Sequence, residues 1–93
     1  KPTTETDFTP RHQLDKATLL ELFQWDENTF LKKTEGMPIR RTGYENWQRN
    51  IAVALGNAPA SLDVVAALEN KRPQVSALVQ QHIDWALAQQ QAR

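Results

Sequence analysis

The sequence predicts an all-α domain of about five short helices, and three observations carry that prediction. Apolar residues recur at spacings of three and four with no stretch alternating at period two. Gly, Pro, Asn and Asp fall between these stretches rather than inside them. A shift of 32 residues lays Trp47 on Val79, Ile51 on Ile83, Ala54 on Ala86 and Leu55 on Leu87, and a further shift back places Leu19, Leu22 and Phe23 in register. Short helices recurring at such a period predict a HEAT-like array, an α-α superhelix in which each helix pair buries its apolar face against the next.

Residues 1–12 contain Pro2, Pro10 and four threonines without a period, and read as an extended leader that Phe8 anchors. Leu14, Ala17, Leu19, Leu20, Leu22 and Phe23 then suit a helix from about Asp15 to Gln24. Asp26 caps a second helix carrying Phe30, with Gly36 as its stop and Pro38 beyond. Trp25, just before that cap, is placed to act as a hydrophobic staple. Thr42 and Glu45 form a capping-box pattern opening a third helix with Tyr44, Trp47, Ile51, Ala54 and Leu55 on one face. Gly56-Asn57 ends it and Pro59 prevents resumption. Ser61 caps a fourth helix with Leu62, Val65, Ala66 and Leu68 turned inward, broken at Asn70-Lys71-Arg72-Pro73. Pro73 suits the first turn of the last helix, where Val75, Leu78, Val79, His82, Ile83, Ala86 and Leu87 form a stripe. Gln89 to Arg93 is polar and expected to fray.

A chain of 93 residues supports one core, and 40% apolar content with three Trp, three Phe and one Tyr is enough to build it. Zero cysteines exclude a disulfide framework, a thiolate metal site, an iron–sulfur cluster held by this segment and a Cys nucleophile. No apolar run is long enough to span a bilayer, so a soluble, cytoplasmic domain is expected. Lys1 in place of Met suggests a piece of a longer chain.

The net charge is zero, but its distribution is uneven. Residues 32–49 hold Lys32, Lys33, Arg40, Arg41 and Arg49 against Glu35 and Glu45, whereas residues 1–31 are acidic and 50–93 balanced. Catalytic candidates are weak. His12 and His82 lack metal-box spacing, and His82 reads as a core histidine satisfied by one hydrogen bond. Ser61 and Ser76 lie in no nucleophile elbow, and the carboxylate pairs sit on helix first turns or polar faces. Trp47 and Trp85 lie inside apolar patterns and read as core rather than stacking platforms. Arg40-Arg41, in a loop leading into a helix N-terminus, can fork onto phosphate oxygens. Alternatively, one of them pairs with Glu35 or Glu45 and the other is solvated.

The run Thr34-Glu35-Gly36, Pro38-Ile39-Arg40-Arg41, Gly43-Tyr44-Glu45, Trp47 and Arg49 through Ala58 resembles the C-terminal region of bacterial epoxyqueuosine reductases. Asp7-Phe8, Pro10-Arg11 and Leu20-Glu21-Leu22-Phe23 upstream, and His82-Ile83 and Trp85-Ala86 downstream, are similar to that family too. Departures are small: Met37 replaces a small Ser or Thr, Thr42 an Ile and Gln48 a Leu. The resemblance implies a parent oxidoreductase of queuosine biosynthesis that reduces epoxyqueuosine at the tRNA wobble position with cobalamin and two 4Fe–4S clusters, all held upstream of this segment. It implies that residues 1–13 lead out of the preceding iron–sulfur domain, and that 14–93 form a HEAT-like domain beside it, without cofactor-binding, metal-binding or catalytic residues. On this reading Arg40 and Arg41 contact phosphates of the tRNA anticodon stem-loop, with Lys32, Lys33 and Arg49 as supporting charge. The alternative is a scaffold or protein-interaction domain without RNA contact. Separated from its neighbour, the array exposes an apolar side through which the isolated chain can dimerise.

Overall fold

The computed structural model describes residues 15–37, 40 and 43–92. Phe8, His12, Leu14, Pro38, Arg41 and Thr42 lie outside these residues, as does the leader. The described residues form five α-helices and no strand: α1 (Lys16–Phe23), α2 (Glu27–Lys33), α3 (Tyr44–Asn57), α4 (Leu62–Lys71) and α5 (Ala77–Gln91), with a 3₁₀ turn at Arg72–Gln74.

Local chemistry sets most helix ends. The Asp15 carboxylate accepts the Thr18 N–H at 2.8 Å, and Asp26 accepts that of Thr29 at the same distance. Each thereby satisfies a free donor of the first turn, which holds both carboxyls below their ordinary range. The Ser61 hydroxyl accepts from the Asp63 N–H at 3.2 Å, and that of Ser76 from the Val79 N–H at 3.4 Å. Pro73 therefore belongs to the 3₁₀ turn and not to α5, whose start is fixed by Ser76 four residues before Gln80. The helix α3 has Gly43 as its N-cap, with φ at 89° and no side-chain cap. Thr42 of the expected capping box lies outside the described residues, and the Glu45 carboxylate accepts the Ser76 hydroxyl.

The core is built around α3, whose Trp47, Ile51 and Leu55 are fully buried with Phe23, Phe30, Val64, Leu68, Val79, Ile83 and Ala86. The helices α3 and α5 run in the same direction. Glu45 meets Ser76 near their starts, and near their ends Gly56 lies against Ala86 while Gln90 reaches Leu55 and Ala58. The helix α4, which connects them in sequence, runs back along α5, with Ser61 at Gln90 and Arg72 at Asp84. A substituent on Gly56 would stand 2.7 Å from Trp85 Cζ3 and 2.9 Å from Ala86 Cα, so this glycine serves helix contact rather than chain reversal.

Three sequence expectations are corrected. Leu62 is 86% exposed and Ala66 is also on the outside, because the buried stripe of α4 is Val64, Leu68 and Lys71. Two residues correspond to about 200° around a helix, so burying Val64 turns Leu62 to solvent. Gln90 does not fray: it is buried, its Nε2 donates to the Leu55 and Ala58 carbonyls at 2.8 and 2.9 Å, and its Oε1 accepts the Ser61 N–H at 2.9 Å. Trp47 is fully buried as expected, but Trp85 keeps 40% of its surface exposed.

Candidate nucleic-acid interface

The segment that carries the basic residues is folded by tight turns. Thr34 closes α2 with its hydroxyl donating to the Phe30 carbonyl at 2.6 Å, and Gly36 takes φ of 78°. From there the Met37 N–H bonds the Thr34 carbonyl at 2.9 Å, Arg40 N–H the Met37 carbonyl at 3.1 Å and Gly43 N–H the Arg40 carbonyl at 3.2 Å. Three successive i, i+3 hydrogen bonds thus hold the backbone of Arg40 between α2 and α3. Its side chain is exposed to solvent.

A buried knot anchors this end of the molecule. The Trp25 carbonyl accepts both the Tyr44 hydroxyl at 2.6 Å and the Lys71 ammonium at 3.1 Å. Lys71 Nζ also stands 5.9 Å from the ring centres of Phe23 and Tyr44, a cation–π arrangement on each side. Burial lowers the Lys71 pKa, and the nearby Asp26 charge opposes that shift. The Tyr44 hydroxyl is pushed up to about 12, chiefly by burial and then by the charges of Asp26 and Glu27. Phe30 packs on Trp47 at 4.7 Å and on Tyr44 at 5.7 Å, and Trp25 on Trp47 at 5.4 Å. The first turn of α3 is therefore locked to the α1–α2 turn. The sequence reading places Lys71 in the Asn70-Lys71-Arg72-Pro73 break, whereas it is the last residue of α4; its spacing from Val64 and Leu68 is the signal for its burial.

Lys32, Lys33 and Arg40 are exposed, and among the described residues none of them has a side-chain hydrogen bond or an ion pair. The pairing of Arg40 with Glu35 or Glu45 is not formed, and Glu45 is engaged by Ser76. Arg49 is half-buried and donates from Nε and Nη2 to the Asn50 side-chain oxygen at 3.3 and 3.2 Å, with no carboxylate. Lys32, Lys33 and Arg49 do not form one cluster. The helix α2 meets α3 on the side of Trp47, and Arg49, two residues further, lies about 200° around the helix from that contact. Arg41 is outside the described residues.

Arg72 provides the contrast. Its Nε and Nη2 fork onto the two oxygens of Asp84 at 2.7 and 3.0 Å, which raises the arginine pKa and lowers that of the acid. The only other ion pair among the described residues joins Lys16 to Asp63 at 3.9 Å, again away from the α2–α3 turn. His82 is satisfied through its Nδ1 and the Leu78 carbonyl at 2.9 Å. Among the described residues no three His, Cys, Asp or Glu side chains gather as a metal site, and no helix is long and apolar enough to cross a membrane.

A relative from Xanthomonas campestris, an epoxyqueuosine reductase, is 63% identical over 87 residues, covering 94% of this chain and 24% of the relative. The chain is a homologue of the C-terminal region of bacterial epoxyqueuosine reductases. The epoxyqueuosine reductase of Pseudomonas aeruginosa is 55% identical over 87 residues, and that of Escherichia coli 53% over 88 residues. They are matched over 94% and 95% of this chain, and over 24% and 23% of their own lengths. The chain thus spans about a quarter of the length of these reductases. No protein-family profile and no solved structure matches it. The Arg40 turn lies inside the matched region.

Proposed function

We propose that this chain is the helical C-terminal domain of an epoxyqueuosine reductase, and that it contributes part of the surface on which the enzyme holds tRNA. One observation carries the reading: the backbone of Arg40 is hydrogen-bonded on both sides, yet its guanidinium meets no acid although Glu35 and Glu45 are close in sequence. A solvated arginine of this kind is available to a phosphate, since its fork is not committed elsewhere. Arg40 and Arg41 take anticodon stem-loop phosphates, Lys32 and Lys33 add charge from one flank of α3, and Arg49 adds it from the other. Local excess positive charge raises the encounter rate and makes affinity salt-dependent.

The parallel course of α3 and α5, at nearly the 32-residue offset of the sequence repeat, supports a HEAT-like step with α4 as the returning helix. Reduction belongs elsewhere in the parent enzyme. With no cysteine in the chain, the donor set does not fit an iron–sulfur cluster, and no step is assigned here to the clusters or to cobalamin. Residues 1–13 then lead in from the cluster domain, and 14–93 pack beside it in the cytoplasm.

The test uses the full-length enzyme carrying Arg40→Glu with Arg41→Glu. The expected result is weaker tRNA binding and a raised KM for tRNA, with the cluster and cobalamin spectra unchanged. Unchanged tRNA affinity at low salt would favour a scaffold role.

A further inference from the structure

Trp85 is the largest exposed aromatic among the described residues, and the phosphate contacts make no use of it. Its ring is not loose. Cζ3 rests on the backbone of α3 at Gly56, a seat that any Cβ at that position would fill. One edge of the ring is thus held while 40% of the residue stays open to solvent. A fixed aromatic surface of this kind has little conformational freedom to lose when a planar group stacks on it.

Arg49, Val53 and Gly56 follow one another at i, i+4 and i+7, so the Arg49 position and the glycine that seats the ring share a flank of α3. They are separated by about two turns, roughly 10 Å along the helix. Arg49 meets no carboxylate, and Asp84, next to Trp85 in the chain, has both oxygens taken by Arg72. The flank therefore presents an open ring and a cation that has no carboxylate partner, without a free acid beside the ring. A protein-docking patch needs several large apolar side chains together. The other large exposed one, Leu62, belongs to α4, whereas the exposed residues around Trp85 on α5 are Gln81, Asp84 and Ala88.

We infer that Trp85 is a base-stacking residue: an unpaired base of single-stranded RNA lies on its ring while a neighbouring phosphate reaches Arg49. This rests on the tRNA-binding reading and adds to it a second contact, selective for unpaired nucleotides.

The experiment measures binding of the 93-residue chain, at low salt, to a hairpin RNA with a seven-nucleotide loop and to a fully paired duplex of the same stem. Trp85→Ala is expected to weaken loop binding by at least about fivefold, the effect of losing one stacked base, and to leave duplex binding unchanged. Trp85→Phe is expected to retain most of the affinity. Tryptophan emission of the unaltered chain should be quenched by the hairpin, and Trp85→Phe should abolish that quenching, a readout that stands even if Trp85→Ala unfolds. Equal loop affinity in folded Trp85→Ala would overturn the stacking role alone. Absence of any RNA binding by the unaltered chain would overturn it together with the reading on which it rests.

Discussion

The two ends of α3 are finished in opposite ways. At its C-terminus the single Gln90 amide satisfies two carbonyls and one N–H, and Gly56 lets α5 approach to backbone contact. At its N-terminus Gly43 offers no side-chain cap, Arg40 is unpaired, and the amide of Gln48 is fully buried with neither its nitrogen nor its oxygen bonded. Buried amides are nearly always satisfied, so an exception is informative. One end is completed within the chain, and the other keeps polar groups that the fold does not use. Departures from local consistency concentrate where a protein binds something.

Substitutions at the two ends should separate stability from binding. The largest effect is expected from Gly56→Val, whose branched side chain would collide with Trp85 and Ala86. Overpacking of this kind should cost about 3 kcal/mol in a denaturant titration. If Gly56→Val were as stable as the unaltered chain, the tight α3–α5 contact would be refuted. At the other end Gln48→Leu should raise stability by about 1–2 kcal/mol, because the buried amide gives way to an apolar group of similar size. No gain would mean that the amide finds partners in solution.

Alkaline titration probes the knot beneath the same end. The single tyrosine makes absorbance near 295 nm specific for Tyr44, and its ionisation should occur near 12 rather than near 10. The folded state holds this proton more tightly than the unfolded chain. The resulting stability is fully present below about pH 10 and is lost as pH rises through about 12. Tyr44→Phe should flatten that dependence. The smallest effect is expected from Arg72→Ala: its pair with Asp84 is exposed, so the melting temperature should hardly move and RNA binding should not change.

Most of the fold was legible in the sequence because the helices begin with side chains that cap them. Asp15, Asp26 and Ser61 act as their identities predict. The inward face of α4 was misread because Leu62, Val65 and Ala66 outnumber the apolar members of the true stripe, in which Lys71 contributes its stem while bonding the Trp25 carbonyl. Gln90 and Trp85 were misplaced for a related reason: polarity decided against burial of the first and apolarity for burial of the second. Neither property reveals that the end of α3 and its connection to α4 offer three backbone partners to one and a glycine seat to the other. At the candidate site the basic segment was legible as a charge excess. Its division between two flanks of α3 was not, because it depends on the side from which α2 approaches Trp47.

On the proposed reading Arg40 is held for an external anion, whereas Arg72 is consumed by the fold. The most direct measurement compares Arg40→Glu with Arg72→Glu for binding of an anticodon stem-loop by the 93-residue chain across a salt series. Removing a single phosphate-binding cation should lower the slope of log affinity against log salt by about 0.7–0.9. The account predicts that reduction, with weaker binding at low salt, for Arg40→Glu and an unchanged slope for Arg72→Glu. Equal slopes for both variants and the unaltered chain would contradict it.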